Sequence, residues 1–301
     1  MEECMYINHN QMASNVANTL TSHYGNLQTS TKRLSTGLRV NSAADDAAGL
    51  AIRELMRTDI TALQQGVRNA NDAISLIQTA DGALGVIDEK LTRMKELAEQ
   101  AATGTYDSTQ RLMIESEYQA MASEITRIAN STDFNGIHLL NGNLSSSSHD
   151  GAGMTSTGKM KIHFGTANDS AEDYYYIQIG ASTASALGVG NQATSYGTEA
   201  DARTVSTQEQ AQKALVGLTN AVVSKDKIRA HLGALQNRLE NTISNLTTQA
   251  ENLQSAESRI SDVDVATEMT SFVRNQILTQ SSVAMLSQAN SMQQMAMQLI
   301  G

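Results

Sequence analysis

Proline is absent from all 301 residues, where average usage would place about 15. Proline interrupts helix interiors by removing an N–H and clashing with the preceding turn, so no helix here is broken that way. Tryptophan is also absent and aromatics make up only 4%. Apolar burial must therefore come from Ala, Leu, Ile, Val and 14 Met rather than from large rings. The single cysteine, Cys4, rules out an intrachain disulfide framework. Basic residues are outnumbered, 21 Lys and Arg against 31 Asp and Glu, for a net charge of −10. That balance argues against nucleic-acid binding and against a polybasic membrane anchor. No stretch reaches about 18 consecutive apolar residues, so no membrane-inserted span is expected. The N-terminus lacks the pattern of a cleaved signal peptide, so secretion is expected only by a route that needs none.

Charge is missing locally as well. Residues 4–31 and 275–301 contain no Asp, Glu, Lys or Arg. Both read as helix: Met12, Val16, Leu20, Leu27 and Leu34 at one end, and Met285, Ala289, Met292, Ala296 and Leu299 at the other, fall at helical spacing. Each charge-free segment would span roughly 40 Å. A helix that meets water on its outer face normally carries charge there. One that must be covered on all sides avoids it, because a buried charge is costly. The two ends are thus expected to be assembly stripes, marginal in an isolated chain and ordered when neighbours cover them.

Inside the ends lies a longer pattern. Leu63, Val67, Ala70, Ile74, Ile77, Leu84, Ile87, Leu91, Met94 and Ala98 form a heptad stripe that skips one position at Asp81. Leu232, Leu235, Leu239, Leu246, Ala250, Leu253 and Ile260 form a second. A shorter helix is expected over about 108–130, a helix start with a Ser206–Glu209 capping box, and a helix start at Ser42–Asp45. Phe134-Asn135-Gly136 and Asn141-Gly142 read as turns around a strand-like 137–140. Residues 143–204 are rich in Gly, Ser, Thr and Ala. Within them Lys159–Phe164 and Tyr174–Ile179 alternate with period two, which predicts a pair of strands. The expected fold is mainly α: a long antiparallel coiled coil or bundle built from both chain ends, with a small β-rich insertion in the middle.

Catalytic chemistry is not apparent. Gly153–Lys159 matches most of a phosphate-binding loop, but Met160 stands where a Ser or Thr is required and a strand follows instead of a helix. The six histidines are scattered, with no helical pair and no thiol partner. No catalytic residue, cofactor or metal ligand is assigned.

Leu34–Ile52 (LSTGLRVNSAADDAAGLAI), Arg68–Asp72, Glu96–Gln100, Phe134–Gly136, Ser258–Asp264 and Ala284–Asn290 resemble the signatures of bacterial flagellins, in order and over residues 5–142 and 204–301. The resemblance implies a structural subunit of the flagellar filament for swimming motility, with no enzymatic activity. It implies five parts: 1–44, N-terminal inner-tube helix and connector; 45–142, N-terminal outer-tube helices; 143–204, variable β-rich insertion projecting outward; 205–263, C-terminal outer-tube helix; 264–301, C-terminal inner-tube helix. It implies export through the flagellar type III apparatus, an extracellular location, and polymerisation with other flagellin subunits. The implied partners are the flagellar cap and hook-junction proteins and an export chaperone at the C-terminal segment. Host recognition by a Toll-like receptor would fall on Arg93, Leu97 and Glu117, with Arg93 and Leu97 flanking Met94 away from its stripe. A hook–filament junction protein and a secreted membrane-active translocator are the alternatives; the dense match over Leu34–Ile52 disfavours the first, and the short apolar runs the second.

Overall fold

The computed structural model describes residues 9–146, 149–150, 157–169, 172–191 and 202–300. Six helices dominate: α1 Gln11–Thr36, α2 Ala47–Ala102, α3 Ser108–Ser131, α4 Ala184–Leu187, α5 Gln208–Ser261 and α6 Val265–Ile300. Between α3 and α4 lie three antiparallel strand pairs: β1 Asp133–Phe134 with β2 Ile137–His138, β3 His149–Asp150 with β4 Thr157–Gly158, and β5 Met160–His163 with β6 Tyr174–Ile177. The mainly helical fold with a small β-rich middle is the one the sequence predicts. By compactness the chain forms two units, residues 1–60 with 251–301 and residues 61–250.

In the unit 61–250, α2 and α5 lie antiparallel. Lys225 Nζ donates to Asp88 at 2.6 Å, and Arg229 Nε to Asp81 at 2.7 Å. Asp81, the position skipped by the heptad stripe, is thus an ion-pair partner. The carboxyl of Asp81 is held below its ordinary range, chiefly by the hydrogen bond from Arg229. Burial pulls the Lys225 ammonium down, but its bonds to Asp226 and Asp88 together outweigh this and raise it. α3 folds back on α2: Arg111 donates to the carbonyls of Ala101 and Thr103. Asp107 and Gln110 close a capping box at its start.

The shared core contains Leu76, Ile77, Leu84, Ile87, Leu91 and Met94 of α2, Tyr118 and Ile125 of α3, and Leu218, Leu232 and Leu239 of α5. Removing such apolar surface from water supplies the main driving force, at about 25 cal/mol per Å². Ala73, Ala80, Leu97 and Ala101 are buried as well. The covered arc of α2 is therefore wider than one heptad seam, because the helix serves both α3 and α5.

The β-rich segment is built into this core. Asn135 and Gly136, with φ of 52° and 80°, form the tight turn between β1 and β2, as an Asn-Gly pair should. Ile177, Ile179, Leu187 and Val189 are buried in the shared core. The β5–β6 hairpin lies against α2. Asn69 Nδ2 donates to the His163 carbonyl at 2.8 Å, and a Cβ placed on Gly66 would sit 2.0 Å from the Phe164 carbonyl oxygen. Arg238 of α5 stacks over Tyr175 at 3.5 Å. The hairpin is clamped to the helices by Gly66, Asn69 and Arg238.

Two helix starts differ from expectation. Thr207, rather than Ser206, accepts from the Gln210 N–H, so no Ser206–Glu209 box forms. At α2, Asp46 accepts from the Gly49 N–H, while Asp45 accepts from Asn41 and Ser42 and holds the preceding turn.

Candidate assembly surface

The terminal unit pairs α1 with α6. Asn10 caps α1 by accepting from the Ala13 N–H, and its amide donates to the Ala289 carbonyl at 3.1 Å. At the other end Arg33 meets Glu268 at 3.6 Å, so the helices are antiparallel. α6 is capped by Asp264, which accepts from Thr267 and Ala266; the Thr267 hydroxyl above all holds its carboxyl below the usual range. The fully buried residues of the seam are small: Ser30, Thr279 and Ala289. Small side chains let two backbones approach but remove little apolar surface from water.

What the seam leaves open is the notable feature. Met12, Tyr24, Val265, Met269, Val273, Ile277, Leu278, Val283, Met285, Met292 and Met295 are all exposed on this pair. With Ile52 and Leu55 they make thirteen of the eighteen large apolar side chains exposed among the described residues. At 100° per residue the apolar positions of α6 fall all round its circumference. A helix of that kind ends up buried. On α1, Tyr24, Leu27, Gln28, Thr31, Lys32 and Ser35 line a shallow groove on one face.

The predicted stripes divide into two groups. Val16, Leu20, Leu27 and Leu34 are half-buried and Ala289 is buried, whereas Met12, Met285 and Met292 are exposed. The positions of α6 that turn inward include Phe272, Asn275, Thr279, Ser282, Leu286 and Ala289, and of these only Ala289 belongs to the expected assembly stripe. The side chains of Ala296 and Leu299 lie outside the described residues, as do Cys4 and most of the Gly153–Lys159 loop.

The two connectors are stitched together. Leu38 bridges Asp262, Arg39 N donates to the Ser261 carbonyl at 2.7 Å, and Val263 N to the Gly37 carbonyl at 3.0 Å. Arg39 reaches the Ile260 carbonyl, and the buried Arg53 reaches that of Val40, both at 2.7 Å.

In the unit 61–250, Arg93 and Glu117 are exposed and paired, Arg93 Nη2 to Glu117 Oε1 at 2.8 Å, with Glu96 on the other side at 3.0 Å. Glu117 above all holds the guanidinium protonated. Leu97 is 2% exposed and sits in the shared core. The expectation that it lies away from the Met94 stripe is corrected, because the arc facing α3 reaches it.

Among the described residues no group of three or more His, Cys, Asp or Glu is placed to hold a metal, and no helix is long and apolar enough to cross a membrane. Helices paired by a thin seam thus leave large apolar side chains uncovered at both ends of the chain.

Comparison with known proteins shows the family. Residues 7–145 match the bacterial flagellin N-terminal helical region, and residues 215–300 the bacterial flagellin C-terminal helical region. Flagellin FlaB2 of Treponema pallidum is 39% identical over 296 residues, covering 98% of this chain and all of the relative. The flagellar filament 33 kDa core protein of Treponema phagedenis is 40% identical over the same shares. The flagellin of Bacillus subtilis is 41% identical over 309 residues, again with 98% and 100% coverage. A solved structure assigned to a flagellar hook-associated protein from Vibrio parahaemolyticus shares the fold, with a TM-score of 0.55 at 13% identity over 72% of this chain and all of that one. The chain belongs to the bacterial flagellin family, whose members are structural rather than enzymatic.

Proposed function

We propose that this protein is a structural subunit that polymerises with other flagellin subunits into the extracellular flagellar filament and serves swimming motility. The observation that carries the reading is the concentration of exposed apolar side chains on terminal helices whose only charged residues are Lys32, Arg33, Glu268 and Arg274, around α6 above all. Association would cover that surface, at about 25 cal/mol per Å². On this reading residues 1–44 and 264–301 form the inner tube, 45–142 and 205–263 the outer tube, and 143–204 the variable part. Export follows the flagellar type III route, a chaperone holds the C-terminal segment, and hook-junction and cap proteins bound the growing polymer. Deleting residues 275–301 is expected to abolish filament growth, read by electron microscopy and light scattering with seeds present. Melting of the 61–250 unit is expected to stay unchanged. Continued growth of the truncated chain would refute the reading.

A second reading, host recognition by a Toll-like receptor, draws support from the exposed Arg93–Glu117 pair. With Leu97 buried, the recognised surface would centre on Arg93 and Glu117. Arg93→Ala should weaken receptor signalling while the circular dichroism of the monomer is retained; an undiminished response would remove this reading.

A further inference from the structure

The β5–β6 hairpin has two unlike faces, set by its register. Met160 pairs with Ile177 and Ile162 with Tyr175; these four pack on the core. The intervening pairs, Lys161 with Tyr176 and His163 with Tyr174, stand on the opposite face, because side chains alternate along a strand. Lys159, one alternation further, joins them. This face carries two ammonium groups, an imidazole and two phenols, all half-buried, over a length of about 13 Å. No Asp or Glu occurs in either strand. That composition stands out on a chain whose net charge is −10.

The groups are also fixed in place. Lys161 Nζ lies 3.6 Å over the Tyr174 ring, and Lys159 Nζ 4.2 Å over that of Tyr176. His163 stacks on Tyr174 with centroids 6.1 Å apart, and the two phenol rings meet edge to face at 5.4 Å. Lys161 is further tethered by Asn168 at 3.3 Å. The backbone beneath is held by the Gly66 and Asn69 contacts with Phe164 and His163. Cations held before a ligand arrives lose less freedom on binding it, which favours affinity.

We propose that this outward face binds a carboxylated glycan, the lysines holding carboxylates and the phenol hydroxyls and ring edges meeting the sugar. Positive charge on a basic–aromatic ribbon calls for an anionic partner. Two observations favour a sugar over a nucleic acid. Base stacking needs open aromatic faces, and here each ring already carries an ammonium. A polymer with a charge on every unit would also meet the negative field of the rest of the chain, whereas carboxylates spaced by neutral rings meet less of it. All of these groups belong to one chain, so the site is testable on the full-length monomer.

The experiment titrates the monomer with a hyaluronan octasaccharide, with a neutral maltooligosaccharide and a single-stranded DNA octamer in parallel, by calorimetry. Saturable binding of the uronate sugar alone is expected. Lys159→Gln/Lys161→Gln should weaken it about tenfold or more, the equivalent of roughly 1.4 kcal/mol. Lys159→Arg/Lys161→Arg should retain it, which separates lost charge from a damaged hairpin. Lys213→Gln/Lys227→Gln, on α5, should leave it unchanged. The proposal is overturned if hyaluronan does not bind at millimolar concentration, if DNA binds as tightly or tighter, if the glutamine pair at 159 and 161 has no effect, or if the α5 pair weakens binding equally.

Discussion

The two units of this chain are both built of long paired helices, yet they bury different things. Of the forty apolar residues buried among those described, all but Val40 and Ala289 belong to residues 61–250. The terminal unit closes over Ser30, Arg53, Ser261 and Thr279 instead, and leaves Val265, Met269, Val273, Ile277 and Met285, among others, exposed. Helix content therefore says little about where stability resides. The 61–250 unit buries its apolar side chains within itself, and the terminal unit leaves most of its large ones uncovered.

Substitutions should separate the two. Leu84→Ala, at a fully buried α2 position, is expected to lower the stability of the 61–250 unit by about 2–5 kcal/mol, read by thermal or denaturant unfolding. Ile277→Ala, equally apolar but 56% exposed, should leave monomer stability within about 0.5 kcal/mol and show its effect only in polymerisation. A large loss of monomer stability from Ile277→Ala would erase the distinction. Gly66→Ala comes next: its Cβ meets backbone at Phe164, so the hairpin must shift, at a cost of about 1–3 kcal/mol. Matched losses in Tyr174–Ile177 amide protection would locate the damage.

The buried Lys225 offers a finer contrast. Lys225→Ala leaves a cavity and removes the partner of Asp88, for about 1–3 kcal/mol. Lys225→Met keeps the volume without the charge and should cost less, or stabilise. Urea midpoints of the two variants check the order.

The smallest effect is one of pH. Asp81 has its carboxyl depressed in the folded chain by Arg229, so the unfolded state holds the proton more tightly. The contribution of this pair is present above the ordinary carboxylate value of about 4, and is lost as pH falls through the lowered folded value. Asp81→Asn should flatten that part of the acid limb and leave the neutral region level. An unchanged acid limb would show that the pair contributes nothing.

Much of this was legible in residue spacing. The heptad positions of α2 mark its core, and the period-two run around Lys159–Phe164 marks the hairpin, because both patterns depend on single contacts repeated along an element. Leu97 escaped because a one-seam template does not foresee a helix with two neighbours. The α6 seam had no apolar signature to show it: between Phe272 and Leu286 its inward positions are Asn275, Thr279 and Ser282, whose size rather than hydropathy suits them to the contact. Gly66 and Asn69 carry no local signal, since what they hold is a hairpin nearly a hundred residues further on. The proposed assembly surface rests in the sequence mainly on missing charge at both ends, while the division of the terminal helices into inward and outward positions needed the helices side by side.

The stitched connectors have a mechanical consequence. Each terminal helix joins the rest of the chain through a short non-helical segment, and a lone segment of that kind would be a swivel. Here Gly37–Arg39 and Ser261–Val263 are hydrogen-bonded across to each other, so a pull or twist on either terminal helix is shared between two covalent paths. The joint carries load in parallel rather than through one flexible link.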